Sequence, residues 1–319
     1  MKFGFSAPFR GPLANPQDIR TIAEAAERFD YDTITVADHI VVPSNISANY
    51  PYSEDGEFAW TADGSTDCME QFTLLAWLGA VTTSVRLLTS VIVVPHRNPL
   101  FMAKSLATTD QLSGGRVTVG CGAGWMREEF EALNITDFDA RGKVTDEYIQ
   151  VMKELWTKGR ASFHGEFIDF TDAAADPKPV QQPHPPIWIG GESMPAIRRT
   201  AALGDTWYPF GSNPKFRMDT IETFVARRDK LFTEAERLDR DPTSIGLAYN
   251  CAFHNEEAQT HIDGGRLLFT GSPEERAEDI AQLEAAGVST MIVNVTSNDL
   301  AHMLERVERF STEVMALLN

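Results

Sequence analysis

Positive charge is scarce in this chain. Lys and Arg total 28 against 46 Asp and Glu in 319 residues, a formal net charge of −18. A field of that sign repels phosphate backbones and anionic lipid, so nucleic acid and membrane surfaces are poor partners. It leaves room for an anionic cofactor, because a few local amides outweigh a distant average. Cysteine is scarcer still. Cys68, Cys121 and Cys251 are odd in number, far apart and without CxxC spacing. They point to neither a disulfide framework nor a zinc site and read as free thiols of a cytoplasmic protein. No apolar run approaches the ~18–20 residues that span a bilayer. Met1 to Pro8 lacks the apolar core of a signal peptide and reads as a strand. HExxH, Walker and EF-hand motifs are missing, as is a Ser–His–Asp order, which leaves hydrolase and metal readings without footing.

Apolar residues are plentiful, at 43% of the chain with 23% charged, the composition of a protein with ample core. Short strand-like runs alternate with longer helical patterns. Lys2–Ser6, Thr33–Val36, Val85–Val94, Arg116–Val119, Pro186–Ile189, Thr206–Tyr208, Ile245–Phe253 and Thr290–Val295 read as strands. Between and after them, the pattern predicts helices from Pro16, over Met69–Val81, Pro99–Leu112, from near Arg141 to Trp156, and over Met194–Leu203. Further helices are predicted over Phe216–Leu238, Pro273–Ala285 and Leu300–Leu318. Apolar strands alternating with helices call for a parallel sheet buried on both faces. About eight such units fit a closed (β/α)8 TIM barrel, for which ~250 residues suffice. The surplus falls in insertions near 41–68 and 162–182, and the whole of 1–319 reads as one domain. Trp60, Phe72, Trp77 and Phe101 read as core or loop packing.

Chemistry in such a barrel sits where strands lead into helices. His39, just past the second strand, is placed to move a proton near neutral pH, or to satisfy a loop carbonyl. Asp38 is a candidate to orient its ring, although neighbours on a strand point opposite ways. The third strand is long enough to pass the rim, where a bulge exposes backbone to a flat ligand; His96 and Arg97 then stand at the mouth, as substrate contacts or solvated rim groups. Gly120-Cys121-Gly122-Ala123-Gly124-Trp125 follows the fourth strand. It lets backbone approach a ligand, but as a dinucleotide fingerprint it fails at Trp125. A methyl-donor loop and simple tight packing remain alternatives. Gly190-Gly191-Glu192-Ser193 ends the fifth strand as a phosphate cradle or a capped helix start; the Glu192 carboxylate suits a phosphate only if it points away. Hydride or electron chemistry needs a cofactor, since no side chain supplies it.

The stretch Thr89 to Leu133, taken with Asp38-His39, Arg141-Gly142, Pro177 to Gly191 and Thr270 to Pro273 in that order, resembles the bacterial luciferase-like flavin-dependent oxidoreductases over nearly the whole chain. It looks most like the branch of coenzyme F420 (deazaflavin) oxidoreductases. The resemblance implies a (β/α)8 barrel holding FMN or coenzyme F420 noncovalently at its mouth. His39 then matches the histidine near the ring, and Ser90-Val91 the bulged strand where relatives carry a non-proline cis peptide. Ala123 and Gly124 match contacts to the cofactor chain, while Gly190, Gly191 and Ser193 match the phosphate loop. Trp125 stands where sugar-phosphate-oxidising relatives carry a carboxylate, and an indole cannot transfer that proton; it is a candidate substrate wall. Arg10 and Arg97 are the candidate anion-binding arginines. The implied activity is monooxygenation of a small organic substrate with reduced flavin and O2, with a separate flavin or F420 reductase and a homodimer as partners. Coenzyme F420-dependent hydride transfer with His39 as proton donor, a noncatalytic flavin-binding protein, and a methyltransferase are the alternatives.

Overall fold

The computed structural model describes residues 1–58, 67–135 and 137–318. Its strands are β1 (Lys2–Ser6), β2 (Thr33–Val36), β3 (Arg86–Thr89), β4 (Ile92–Val93), β5 (Val117–Gly122), β6 (Ala161–His164), β7 (Asp169–Ala173), β8 (Ile187–Gly190), β9 (Thr206–Tyr208), β10 (Gly246–Cys251) and β11 (Thr290–Val293). The helices are α1 (Pro16–Arg28), α2 (Gln71–Val81), α3 (Pro99–Ser113), α4 (Arg127–Leu133), α5 (Arg141–Thr157), α6 (Met194–Leu203), α7 (Ile221–Glu236), α8 (Pro273–Ala285) and α9 (Leu300–Arg309). Eight parallel strands run β3-β2-β1-β11-β10-β9-β8-β5, and β5 pairs back onto β3, closing a (β/α)8 barrel. β4 continues β3 beyond a two-residue interruption and pairs with the end of β5, Ile92 opposite Cys121. β6 and β7 form a separate antiparallel hairpin, as the alternation of Phe163, Gly165, Phe167 and Phe170 predicts. Among the described residues no helix is long and apolar enough to cross a membrane.

Alternation along each strand sorts the side chains into two populations. Phe3, Phe5, Leu87, Val119, Ile189 and Trp207 point outward and share one buried core with the helices. Leu88, Tyr208, Ala248 and Ile292 point inward and form a small cluster of their own, with Val91 and Trp188 packed above it. Leu88 and Ala248 are fully buried, whereas Ser90 and Asn250 two residues further on are half-buried, as are Trp188 and Gly190 on β8. The barrel is therefore sealed below and open at the carboxyl end. Buried rings keep their polar tips bonded: Tyr31 Oη donates to Val307 O at 2.9 Å and Trp156 Nε1 to Ala103 O at 2.9 Å. At the closed end Arg116 spends all five guanidinium donors on Ser113 O, Thr82 Oγ1, Val85 O, Gly79 O and Thr82 O.

Local chemistry explains the element boundaries. α1 starts at Pro16 because the Asn15 side chain accepts from Asp18 N at 3.0 Å and proline fits the first turn. α2 begins at Gln71, later than the predicted Met69, because the Glu70 carboxylate caps Thr73 N at 2.7 Å. The predicted helix from Phe216 is interrupted: Thr220 and Thr223 form a capping box that starts α7 only at Ile221. Competition from hydroxyls for backbone donors is the reason. The last helix stops at Arg309 and loosens into a π turn at Phe310–Val314. α4 was not visible in the periodicity, being only 7 residues long, although it carries Glu128 and Glu129 in its first turn. Of the rings expected as packing, Phe72 is buried and Trp77 packs on the core; Phe101 is instead 61% exposed on α3, and Trp60 lies outside the described residues.

Candidate functional site

His39 follows β2 at the open end and is 9% exposed. Its Nδ1 donates to Glu129 Oε2 at 2.7 Å. The other carboxylate oxygen accepts from Ile40 N at 2.8 Å and Val41 N at 3.3 Å. Glu129 thus holds both the ring and the backbone that carries it. Burial alone raises this carboxyl, but the His39 hydrogen bond, the imidazoles of His39 and His96, and Ile40 N outweigh it and hold Glu129 below the usual range. With Nδ1–H donating to Glu129, Nε2 carries the lone pair of the neutral ring and is the atom that accepts a proton. The orienting carboxylate is therefore Glu129, not Asp38. Asp38 instead receives Arg97 in a two-pronged pair at 2.7 and 2.8 Å, and its Oδ2 also accepts from Val93 N at 2.9 Å. Arg97 further bonds Glu70 at 3.0 Å. Its guanidinium is committed to two carboxylates, which ties β4 to the end of β2.

His96, also named as a rim group, is buried with its side chain 1% exposed. Neither ring nitrogen has a hydrogen-bond partner among the described residues, and Nδ1 stands 3.8 Å from Glu129 Oε1. Burial pushes its pKa down to about 4, so the ring is neutral.

Between β3 and β4 the Ser90–Val91 peptide is cis. Val91 faces the two glycine turns. A Cβ on Gly122 would come within 2.6 Å of Val91 Cγ2, and one on Gly190 within 3.1 Å of Val91 Cγ1. β5 and β8 are paired neighbours, Cys121 opposite Ile189, so both turns leave the barrel side by side. Ser90 Oγ lies 3.0 Å from Tyr208 Oη, which accepts from Asn250 Nδ2 at 2.8 Å.

Gly191 has φ +107, a conformation other residues rarely adopt, and its carbonyl accepts from Trp207 Nε1 at 2.9 Å. Ser193 caps α6 by accepting from Ala196 N at 3.4 Å. Glu192 is turned away from this helix start: its carboxylate accepts from Phe210 N and Asn213 Nδ2, both at 2.7 Å. Burial pushes the Glu192 carboxyl up, against the bonds from Phe210 N and Asn213 Nδ2 that lower it. The Glu192 side chain thus points away from the α6 start, as the phosphate-cradle expectation requires.

Trp125 leaves β5 and packs at 5.1 Å against both Tyr50 and Phe58, whose rings are 5.2 Å apart. Phe58 in turn lies 5.4 Å from the His39 ring. Tyr50 and Phe58 of this apolar wall come from the first insertion, and Trp125 from the loop after β5. Glu128 holds that insertion by accepting from Ser47 N at 2.8 Å and Ser47 Oγ at 2.6 Å, and Arg217 pairs with Glu54. Arg10 sits in the β1–α1 loop, close enough to lower the Cys68 thiol electrostatically, although burial raises that thiol overall. Cys68 Sγ donates to His39 O at 3.6 Å. His39, Ser90, Val91, Gly190, Gly191, Ser193, Ala123, Gly124 and Trp125 all lie past or at the carboxyl ends of barrel strands, on one rim. Glu129, Tyr208 and Asn250 complete the cup, and no motif in the sequence marks them; only the acidic first turn of α4 offered a signal.

Such a cup belongs to the (β/α)8 class of enzymes, which keep their chemistry at the carboxyl ends of the strands. The chain belongs to the luciferase-like monooxygenase family, whose model matches residues 1–261. It is an oxidoreductase of that family. An uncharacterized protein of Mycobacterium tuberculosis is 36% identical over 214 residues, 67% of this chain and 71% of that protein. An FMNH2-dependent dimethylsulfone monooxygenase of Pseudomonas putida is 29% identical over 299 residues, 80% of each chain. The solved coenzyme F420-dependent tetrahydromethanopterin reductase of Methanopyrus kandleri shares the fold, with a TM-score of 0.75 over 100% of this chain and 99% of that one at 14% identity.

Proposed function

We propose that the chain is a monooxygenase that uses reduced FMN and O2 on a small organic substrate, as a single domain over 1–319 that pairs with a second copy and takes its flavin from a separate reductase. The observation that carries the reading is the cup itself: two adjacent glycine turns and a carboxylate-held histidine around a sealed floor. The residues fit a phosphate-bearing cofactor, because α6 starts directly after Gly190-Gly191 at the rim and the Glu192 carboxylate is bonded to Phe210 N and Asn213 Nδ2 instead. Bound reduced FMN supplies the electrons that activate oxygen. Gly190, Gly191 and Ser193 hold its phosphate through backbone amides, and Ala123 and Gly124 line its chain. Ser90-Val91 supports the ring. His39 moves a proton at Nε2 while Glu129 keeps the ring in that tautomer. Tyr50, Phe58 and Trp125 exclude water above it, and an indole wall in place of a carboxylate favours an apolar substrate. Arg97 is bonded to Asp38 and Glu70 and does not serve the substrate; Arg10, in the β1–α1 loop at the rim, is a candidate substrate contact by its position.

Fluorescence-quenching titrations with FMN and coenzyme F420 test the cofactor. FMN binding with turnover of an organic substrate in the presence of a flavin reductase supports the reading. Binding of the deazaflavin alone replaces it with hydride transfer. Full FMN occupancy without turnover across a substrate screen replaces it with a noncatalytic flavin-binding role.

A further inference from the structure

The inward-facing polar groups of the barrel end in a chain whose direction the donor inventory fixes. A phenol has one proton to give and lone pairs to receive. Tyr208 Oη receives from Asn250 Nδ2 at 2.8 Å. Among the described residues, its own proton then has one partner in reach, Ser90 Oγ at 3.0 Å. Burial, only partly offset by its bonds to Ser90 and Asn250, pushes the Tyr208 phenol up, so that proton stays in place. Ser90 Oγ therefore accepts from below, and its own hydroxyl proton is left over. Among the described residues no other partner takes it. Ser90 is half-buried and lies just past the carboxyl end of β3, next to Val91.

We propose that Asn250 and Tyr208 are positioning residues which turn the Ser90 hydroxyl into an obligate hydrogen-bond donor on the floor of the cup. The cup then selects ligands that present a carbonyl or ring-nitrogen lone pair to Ser90, and disfavours those that present an N–H. The inference rests on the flavin reading above, because a flavin edge carries such acceptors. The direction matters more than the contact. Asn250→Asp keeps the shape but replaces the donor by an acceptor: Tyr208 then donates to residue 250, Ser90 donates to Tyr208, and the cup loses its donor.

FMN dissociation constants and the visible flavin spectrum, measured on the whole chain, test this. Ser90→Ala is expected to weaken FMN about 5- to 10-fold, the loss of one neutral hydrogen bond, and to shift the flavin absorption. Asn250→Asp is expected to reproduce both effects. In the Ser90→Ala background, Asn250→Asp adds less than about twofold, because coupled residues do not sum. Tyr208→Phe, which keeps the ring volume, should likewise add nothing once Ser90 is gone. Full additivity in these cycles overturns the relay while leaving the flavin reading intact, as does wild-type affinity in Asn250→Asp. Failure of the wild-type chain to bind any flavin overturns both.

Discussion

Mild acid will loosen this fold through a histidine that the site does not expose. His96 has its pKa pushed from 6.5 down to about 4, chiefly by burial, with Arg97 and His39 adding to the fall and Glu129 and Asp38 opposing it. In the unfolded chain the same ring titrates near its ordinary value. The unfolded state thus binds the extra proton first, and stability falls as pH drops below 6.5 and goes on falling until about 4. Between pH 7 and pH 5 the unfolded ring becomes almost wholly charged while the folded ring stays mostly neutral, which costs about 2 kcal/mol. His254, likewise pushed down to about 4 by burial, contributes a second share of similar size. Urea unfolding of the wild type at pH 7 and pH 5 should therefore differ by about 4 kcal/mol. His96→Leu should roughly halve that difference, since leucine fills the site and titrates nothing. An unchanged pH dependence in this variant would refute the reasoning, because it would mean that the buried ring takes up its proton as readily as the unfolded one.

Glu129→Gln should lower turnover about 10- to 100-fold while leaving FMN affinity within about twofold, since it removes the charge that holds His39 Nδ1–H but not the cup; steady-state kinetics beside flavin titration separate the two. Asp38→Asn should destabilise the fold by about 1–3 kcal/mol, because it leaves the Arg97 guanidinium, 8% exposed, with Glu70 as its remaining counter-charge. The double change Asp38→Leu with Arg97→Leu should recover much of that loss in a melting experiment. Arg116→Met should cost about 3 kcal/mol or more by leaving the carbonyls of Gly79, Thr82, Val85 and Ser113 without their donor. Its effect on FMN binding at the far end of the barrel should be small.

The order of elements was legible because periodicity is local. Ile19, Ile22 and Ala26 mark one face of α1, and alternation marks Thr33–Val36, whatever the rest of the chain does. The glycines at Gly122 and Gly190 also announce themselves in the sequence, since close backbone approach favours glycine, whereas the break at Ser90-Val91 is placed only by the family resemblance. Partnerships across the barrel are different. His39 and Glu129 are 90 positions apart, and Tyr208 meets Ser90 across 118. No spacing rule reaches that far; strand order and register set those distances. The same two carboxylates, Asp38 and Glu129, were equally eligible to orient the histidine by residue type. Closure of the sheet assigned one to Arg97 and the other to His39, because a buried charge takes whichever partner the packed backbone brings within hydrogen-bond reach.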